Sequence, residues 1–193
     1  MKVLFITLTL LCNLPTFGQD MQNRTILKLT APLSKDLYAV GWIIGNARLK
    51  APNNINIFCG IGYKKQNWWF ESMIQRQWSH VGNNLLLDFR FQKQFANRST
   101  LYIEQSPFLN KHALYNFFIF EHPLWYKFNI GGETENILKA GKNSLGAGPR
   151  ISRPLGTIGK TKVVMALSYR MRPQEPDELR LYLVFNVPLR LKH

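Results

Sequence analysis

The chain has 193 residues, with 25 lysines and arginines against 11 aspartates and glutamates, and a formal net charge of +14. This length excludes several large domains, and its two cysteines exclude a small fold held together by disulfides. The basic residues are spread along the chain and form no basic helix, so the charge does not indicate a nucleic-acid-binding protein.

The first 18 residues have the pattern of a cleaved signal peptide. Lys2 supplies the positive start, residues 3–12 form an apolar run, and Thr16 and Gly18 are small enough to precede a cleavage site. The stretch that follows is polar and mixed, without a clear period, and predicts an N-terminal extension or a partial strand. The predicted divisions are a signal peptide over 1–18, an N-terminal extension over 19–35 and one β-barrel domain over 36–193.

From residue 37 onwards, apolar side chains fall on every second position. Leu85, Leu87 and Phe89, for example, alternate with Asp88 and Arg90. A period of two is the side-chain period of a β-strand, whose successive residues point to opposite faces. The predicted strands are 37–47, 54–64, 67–78, 84–94, 98–106, 113–122, 125–135, 144–152, 162–172 and 178–190.

These features together resemble the small outer-membrane β-barrel proteins of two-membrane bacteria. The resemblance is one of pattern over the whole mature region, and it rests on the signal peptide, the alternating strands and the Trp and Tyr residues near predicted strand ends. It implies an all-β fold, an antiparallel up-and-down transmembrane β-barrel of about 8–10 strands after a cleaved signal peptide. An even strand number would place both termini on one side of the barrel.

The resemblance also implies a location and partners. The protein would lie in the outer membrane, with its apolar face in lipid, and its partners would be outer-membrane lipids, including lipid phosphates. It would act as a structural barrel, as a narrow channel or as a surface-binding protein, without a cofactor or a metal. The chain departs from the family pattern at its end, where Leu191, Lys192 and His193 stand in place of the usual terminal aromatic residue.

An apolar face turned outward would turn the charged face of each strand inward. Charges inside a narrow barrel must be paired, because an isolated buried charge costs far more than the fold can supply. We therefore expect a network of carboxylate–arginine pairs that fills the lumen, with a selective pore or a ligand site as the alternative. The predicted members of this network are Glu71, Asp88, Arg90, Glu104, Glu133, Arg150, Arg170 and Arg180.

Two other functions use the same pattern of strands. A soluble, exported, lipocalin-like barrel would place Leu85, Leu87 and Phe89 around a cavity for a small apolar ligand and would expose Asp88 and Arg90. A lipid-modifying acyl hydrolase would need a catalytic Ser and His. Ser79 and His80 are neighbours in sequence, but adjacent residues of a strand point apart, so the sequence assigns no catalytic residue.

Overall fold

The computed structural model describes residues 20–49, 53–79, 82–141, 143–173 and 175–189. Within these ranges, eleven strands form one closed barrel, in which each strand pairs with its neighbours in chain order. The predicted signal peptide, residues 1–18, lies outside the described residues. The one helical element among them is a single turn at Trp125–Lys127, and no described helix is long and apolar enough to cross a membrane.

The strands are 8 to 13 residues long, and short connections join them. Ten of them overlap the ten predicted strands, and β3 has the predicted bounds. Their ranges are β1 (Asp20–Pro32), β2 (Leu37–Arg48), β3 (Asn54–Lys64), β4 (Trp68–Ser79), β5 (Gly82–Gln94), β6 (Thr100–Pro107), β7 (Ala113–Pro123), β8 (Asn129–Lys139), β9 (Ala147–Ile158), β10 (Thr161–Arg170) and β11 (Glu178–Pro188).

The N-terminal region corrects the predicted strand count. Residues 20–32 are a full strand of the barrel, rather than an extension outside it, so the barrel has eleven strands and not 8–10. β1 pairs with β11 in parallel, and the other neighbours pair antiparallel. Ten antiparallel steps lead from β1 to β11, so the two strands run in the same direction, and β11 ends at the opposite rim from the start of β1. The two ends of the barrel, Asp20 and Pro188, therefore lie at opposite rims, which contradicts the expectation that both lie on one side.

We name each rim of the barrel after the end of the strand sequence that lies there. The N-terminal rim is where β1 begins, and there β2 is followed by β3, β4 by β5, β6 by β7, β8 by β9 and β10 by β11. The C-terminal rim, where β11 ends, carries the connections 33–36, 65–67, 95–99, 124–128 and 159–160.

The strand registers determine the width of the barrel. When the pairing of residues is followed from strand to strand once around the barrel, it returns to β1 at a position about 14 residues from the starting residue. For eleven strands, this displacement corresponds to a strand tilt of about 41° and a backbone radius of about 11 Å. At that tilt, a strand of 12 residues rises about 30 Å along the barrel axis. A radius of this size leaves room inside for long side chains and for open space between them.

The barrel has an inverted distribution of polarity. Leu85 and Phe89 are exposed on the outer face of β5, while Asp88 and Arg90 on the same strand are buried inside. Among the described residues, 22 of the buried side chains are polar or charged and 12 are hydrophobic. The apolar face therefore points outward, the reverse of the arrangement that a lipocalin-like carrier needs.

Trp and Tyr residues divide between the two faces. Trp68 and Trp78 lie on the outer face of β4, at opposite ends of the strand, as expected for residues near strand ends. Trp42 and Tyr182 are instead buried in the lumen, where both take part in the charge network described below. The lumen therefore contains large rings as well as charges.

Candidate functional site: the charged lumen

One group of lumen charges surrounds Arg90 on β5. Its Nε donates to Asp88 Oδ1 at 2.6 Å, and its Nη2 lies 3.4 Å from Glu104 Oε1. The guanidinium also lies between two rings, 4.2 Å from the centroid of Trp42 and 4.3 Å from that of Phe58. Arg90 is thus held by charge and by ring faces in a site from which water is almost excluded.

Lys28 on β1 extends this group around the wall of the barrel. Its Nζ is 2.5 Å from Glu71 Oε1 on β4 and 4.0 Å from the ring centroid of Trp69. Glu71 also accepts hydrogen bonds from the Tyr38 hydroxyl at 2.8 Å and from Trp42 Nε1 at 2.9 Å. The carboxylate of Glu71 is fully buried, and these three donors satisfy it. We call Lys28, Glu71, Asp88, Arg90 and Glu104 the Arg90 cluster.

A second group of charges centres on Glu135 of β8. Its carboxylate forms ion pairs with Arg170 and Arg180, accepts a hydrogen bond from the Tyr115 hydroxyl at 2.8 Å, and lies 3.2 Å from Arg24 Nη2. Arg24 comes from β1, so its side chain crosses the lumen to reach β8. The carboxylate of Glu135 thus connects β8 to four other strands, β1, β7, β10 and β11.

Glu133 and Glu178 complete this second group. Glu133 accepts from Arg150 at 2.9 Å, from the Ser168 hydroxyl at 2.7 Å and from the Tyr182 hydroxyl at 2.8 Å. Glu178 pairs with Arg180 at 2.6 Å, with Arg170 at 3.0 Å and with Arg48 at 3.2 Å. We call this second group the Glu135 cluster. Its members are Arg24, Glu133, Glu135, Arg150, Arg170, Glu178 and Arg180.

All eight residues that the sequence predicted for the lumen point inward and are buried, and each takes part in at least one ion pair. The prediction did not include Arg24, Lys28, Arg48, Glu121, Glu135 and Glu178, which also form ion pairs in the lumen. Alternation could have found two of them, because Glu135 shares a strand face with Glu133, and Glu178 shares one with Arg180. Arg24 and Lys28 required knowing that residues 20–32 form a strand.

The ion pairs do not fill the lumen. A cavity of about 600 Å³ remains inside the barrel, and residues of both clusters line it. Its lining includes Arg48 and Lys139 near the N-terminal rim, and Gln92 and Thr100 near the C-terminal rim. The lining carries seven basic residues against three acidic ones, and apolar side chains such as Ile44, Phe117 and Val184 stand among them, so the cavity is positively charged and chemically mixed.

At the N-terminal rim, two hydrogen bonds hold the carboxylate of Asp177 in place. Asp177 accepts a hydrogen bond from the Tyr169 hydroxyl at 2.6 Å and one from the Arg172 backbone N–H at 3.0 Å, and these bonds lower the pKa of its carboxyl. On the same rim, burial and the nearby Lys139 lower the pKa of Lys111. Among the described residues, no group of three His, Cys, Asp or Glu side chains could hold a metal ion.

Of the Ser79 and His80 pair considered for catalysis, the structure describes the serine, which has another partner. Ser79 Oγ donates to the Gly82 carbonyl at 2.9 Å, and His80 lies outside the described residues. A different pair, which the sequence did not single out, is Ser99 Oγ with His122 Nδ1 at 2.8 Å near the C-terminal rim. Ser99 is 1% exposed, and its backbone N–H donates to Asn97, so a substrate would not reach this hydroxyl in the arrangement seen.

Comparison of the chain with protein-family models, with curated proteins and with solved structures found no match.

Proposed function

We propose that this protein is an integral β-barrel of the outer membrane of a two-membrane bacterium, and that its lumen is a narrow polar passage. The observation that carries the proposal is the inverted polarity of the barrel. Charged side chains are buried inside, and large apolar side chains cover the outside.

The outer face has the extent and chemistry of a lipid-facing surface. Exposed Leu, Ile, Phe and Trp side chains occur on seven of the eleven strands, β2 to β5 and β7 to β9, and they include Ile57, Phe70, Leu85, Ile130 and Ile151. A soluble monomer rarely exposes an apolar surface that extends over several neighbouring strands. The strand rise of about 30 Å matches the hydrocarbon core of a bilayer, and a closed barrel leaves no unpaired strand edge in lipid.

The lumen supports a passage rather than a solid plug, because open space extends between residues of both rims. The side chain of Arg24 crosses this space, because it leaves β1, passes within 5.5 Å of the Tyr182 ring centroid and ends on Glu135 of β8. An arginine that bridges the lumen in this way would restrict the size of a solute and would repel cations.

Membrane integration is tested by fractionation of cells that express the full chain. The mature protein is expected to stay in the membrane pellet through an alkaline carbonate wash and to enter solution when detergent is added. A known peripheral membrane protein in the same preparation is the control for the wash. Release of the protein by the wash alone would contradict the proposal.

The passage is tested in planar lipid bilayers with the purified protein. We expect small, discrete conductance steps, and Arg24→Ala is expected to raise the step size by about twofold because it removes the bridge across the lumen. Glu135 keeps Arg170 and Arg180 in this variant, so the barrel retains most of the cluster. Arg76→Ala, on the outer face of β4, is the matched control and should conduct like the wild type.

The two parts of the proposal can fail separately. Stable integration without any conductance, in the wild type and in Arg24→Ala alike, would contradict the passage and leave a structural barrel. Conductance that is the same in all three proteins would show that Arg24 does not limit the passage.

A further inference from the structure

The net positive charge of the chain is distributed unequally between the two rims. Among the described residues, eight exposed cations lie in or beside the connections of the C-terminal rim, and Asp36 is the one carboxylate in those segments. The cations are Lys35, Lys64, Lys65, Lys93, Arg98, Lys127, Lys160 and Lys162. Glu121, at the end of β7 nearest this rim, faces the lumen and pairs with Arg150.

At the N-terminal rim, the described positive and negative charges are nearly equal in number. Its described charges are five cations and four carboxylates, and most of them pair with one another or with the lumen network. They are Arg48, Lys111, Lys139, Arg170 and Arg172 with Asp20, Glu175, Asp177 and Glu178. Among the described residues, the excess positive charge is therefore larger at the C-terminal rim, where like charges within about 8–10 Å of one another reinforce a positive potential.

Large apolar side chains are exposed between the cations of the C-terminal rim. Trp125 is 75% exposed and Tyr126 is 80% exposed in the connection 124–128, and Ile158 is 72% exposed beside the connection 159–160. Cations also lie over rings at this end, with Lys65 at 5.2 Å from Tyr63 and Arg153 at 4.9 Å from Phe128. Rings with a polar edge and long cationic side chains are the groups that favour the headgroup layer of a bilayer.

We propose that the C-terminal rim binds the anionic phosphate headgroups of the lipid leaflet in which it lies. The proposal rests on the membrane location proposed above, and adds which end of the barrel recognises lipid and by what chemistry. Each exposed lysine or arginine near an anionic leaflet adds to the attraction, while Trp125, Tyr126 and Ile158 enter the boundary between headgroups and acyl chains. The barrel would thus have one end attached to phosphate-rich headgroups and one end without such a preference.

The experiment measures lipid selection by the full mature protein in vesicles of phosphatidylcholine with a minor fraction of phosphatidylglycerol. Spin-labelled phosphatidylglycerol and spin-labelled phosphatidylcholine report how strongly each lipid associates with the barrel surface. The wild type is expected to prefer phosphatidylglycerol, and the preference should weaken in 1 M NaCl, because salt screens exposed charges.

Two matched variants locate the preference on one rim. Lys127→Gln with Lys160→Gln removes two cations from the C-terminal rim and is expected to lower the preference by about threefold. Lys111→Gln with Lys139→Gln removes two cations from the N-terminal rim and should leave it unchanged. Neither pair of changes touches an ion pair of the lumen, so both proteins should fold.

The outcomes separate this inference from the membrane proposal. If neither lipid shows a motionally restricted population, the barrel is not in the bilayer and the membrane proposal fails. If phosphatidylcholine is restricted but phosphatidylglycerol is not preferred, or if both variants lose the preference equally, the rim proposal alone is overturned. Tight binding of a soluble polyanion, heparin, without a preference for phosphatidylglycerol would also overturn it.

Discussion

At the scale of single residues, the lumen depends on charges that cannot be removed one at a time. Asp88 is fully buried, and its Oδ1 is held by Arg90 while its Oδ2 accepts from the Ser106 hydroxyl at 2.7 Å. Removal of the arginine would leave a buried carboxylate with one neutral donor. Losing one partner of a buried pair is much more destabilising than exchanging both partners for apolar groups.

Arg90→Leu is therefore expected to lower the free energy of unfolding by about 3–5 kcal/mol. The measurement is urea unfolding of the barrel in detergent, followed by tryptophan fluorescence. Lys93→Leu, an exposed residue on the same strand, is the control and should change the free energy of unfolding by less than about 0.5 kcal/mol. If Arg90→Leu unfolds at the same urea concentration as the wild type, Arg90 does not stabilise the buried carboxylates.

The residue pairs that could be predicted are those on one strand. Asp88 with Arg90, and Glu178 with Arg180, are two residues apart and so share a face of one strand. Pairs across the lumen could not be predicted, because Arg24 and Glu135 are 111 residues apart and meet only when the barrel closes. The centre of the second cluster was therefore missed, although Glu133 on the same face was predicted.

At the scale of elements, β1 is the strand that the sequence did not reveal in full. Its alternation is weak, because Asn23 and Thr25 stand on its outer face among apolar residues, while Ile26 points into the lumen. Its strand conformation comes from hydrogen bonding to β2 on one side and to β11 on the other. Pairing with β11 joins the two ends of the barrel, and no local pattern specifies such a contact.

The parallel pairing of β1 with β11 has a consequence for the termini. On the membrane location proposed above, we expect a short epitope tag at the N-terminal end of the barrel and one at its C-terminal end to lie on opposite sides of the membrane. Antibody binding to intact cells should therefore detect one tag, and binding to permeabilised cells should detect both. Separate strains with a single tag each are the controls for tag exposure. Equal labelling of both tags on intact cells would contradict an odd strand number.

At the scale of the whole molecule, barrel closure sorts charges that are scattered in the sequence. Alternate connections of an up-and-down barrel fall at the same rim, so Lys35, Lys65, Arg98, Lys127 and Lys160 come together although they are spread over more than a hundred residues. A chain that is evenly basic in sequence thus forms a barrel whose described residues give one strongly basic rim and one nearly balanced rim. The lipid preference proposed for the C-terminal rim follows from this sorting.

The sequence by itself determined the secondary structure of most of the chain and the two chemical faces of its strands. These properties depend on residue types two positions apart, which no later folding step alters. Only the tertiary structure decided that the apolar face points outward, that eleven strands close the barrel and that a cavity remains beside the ion pairs. The physical reason is that each of these depends on pairing between distant segments, and above all on the contact between the first and last strands.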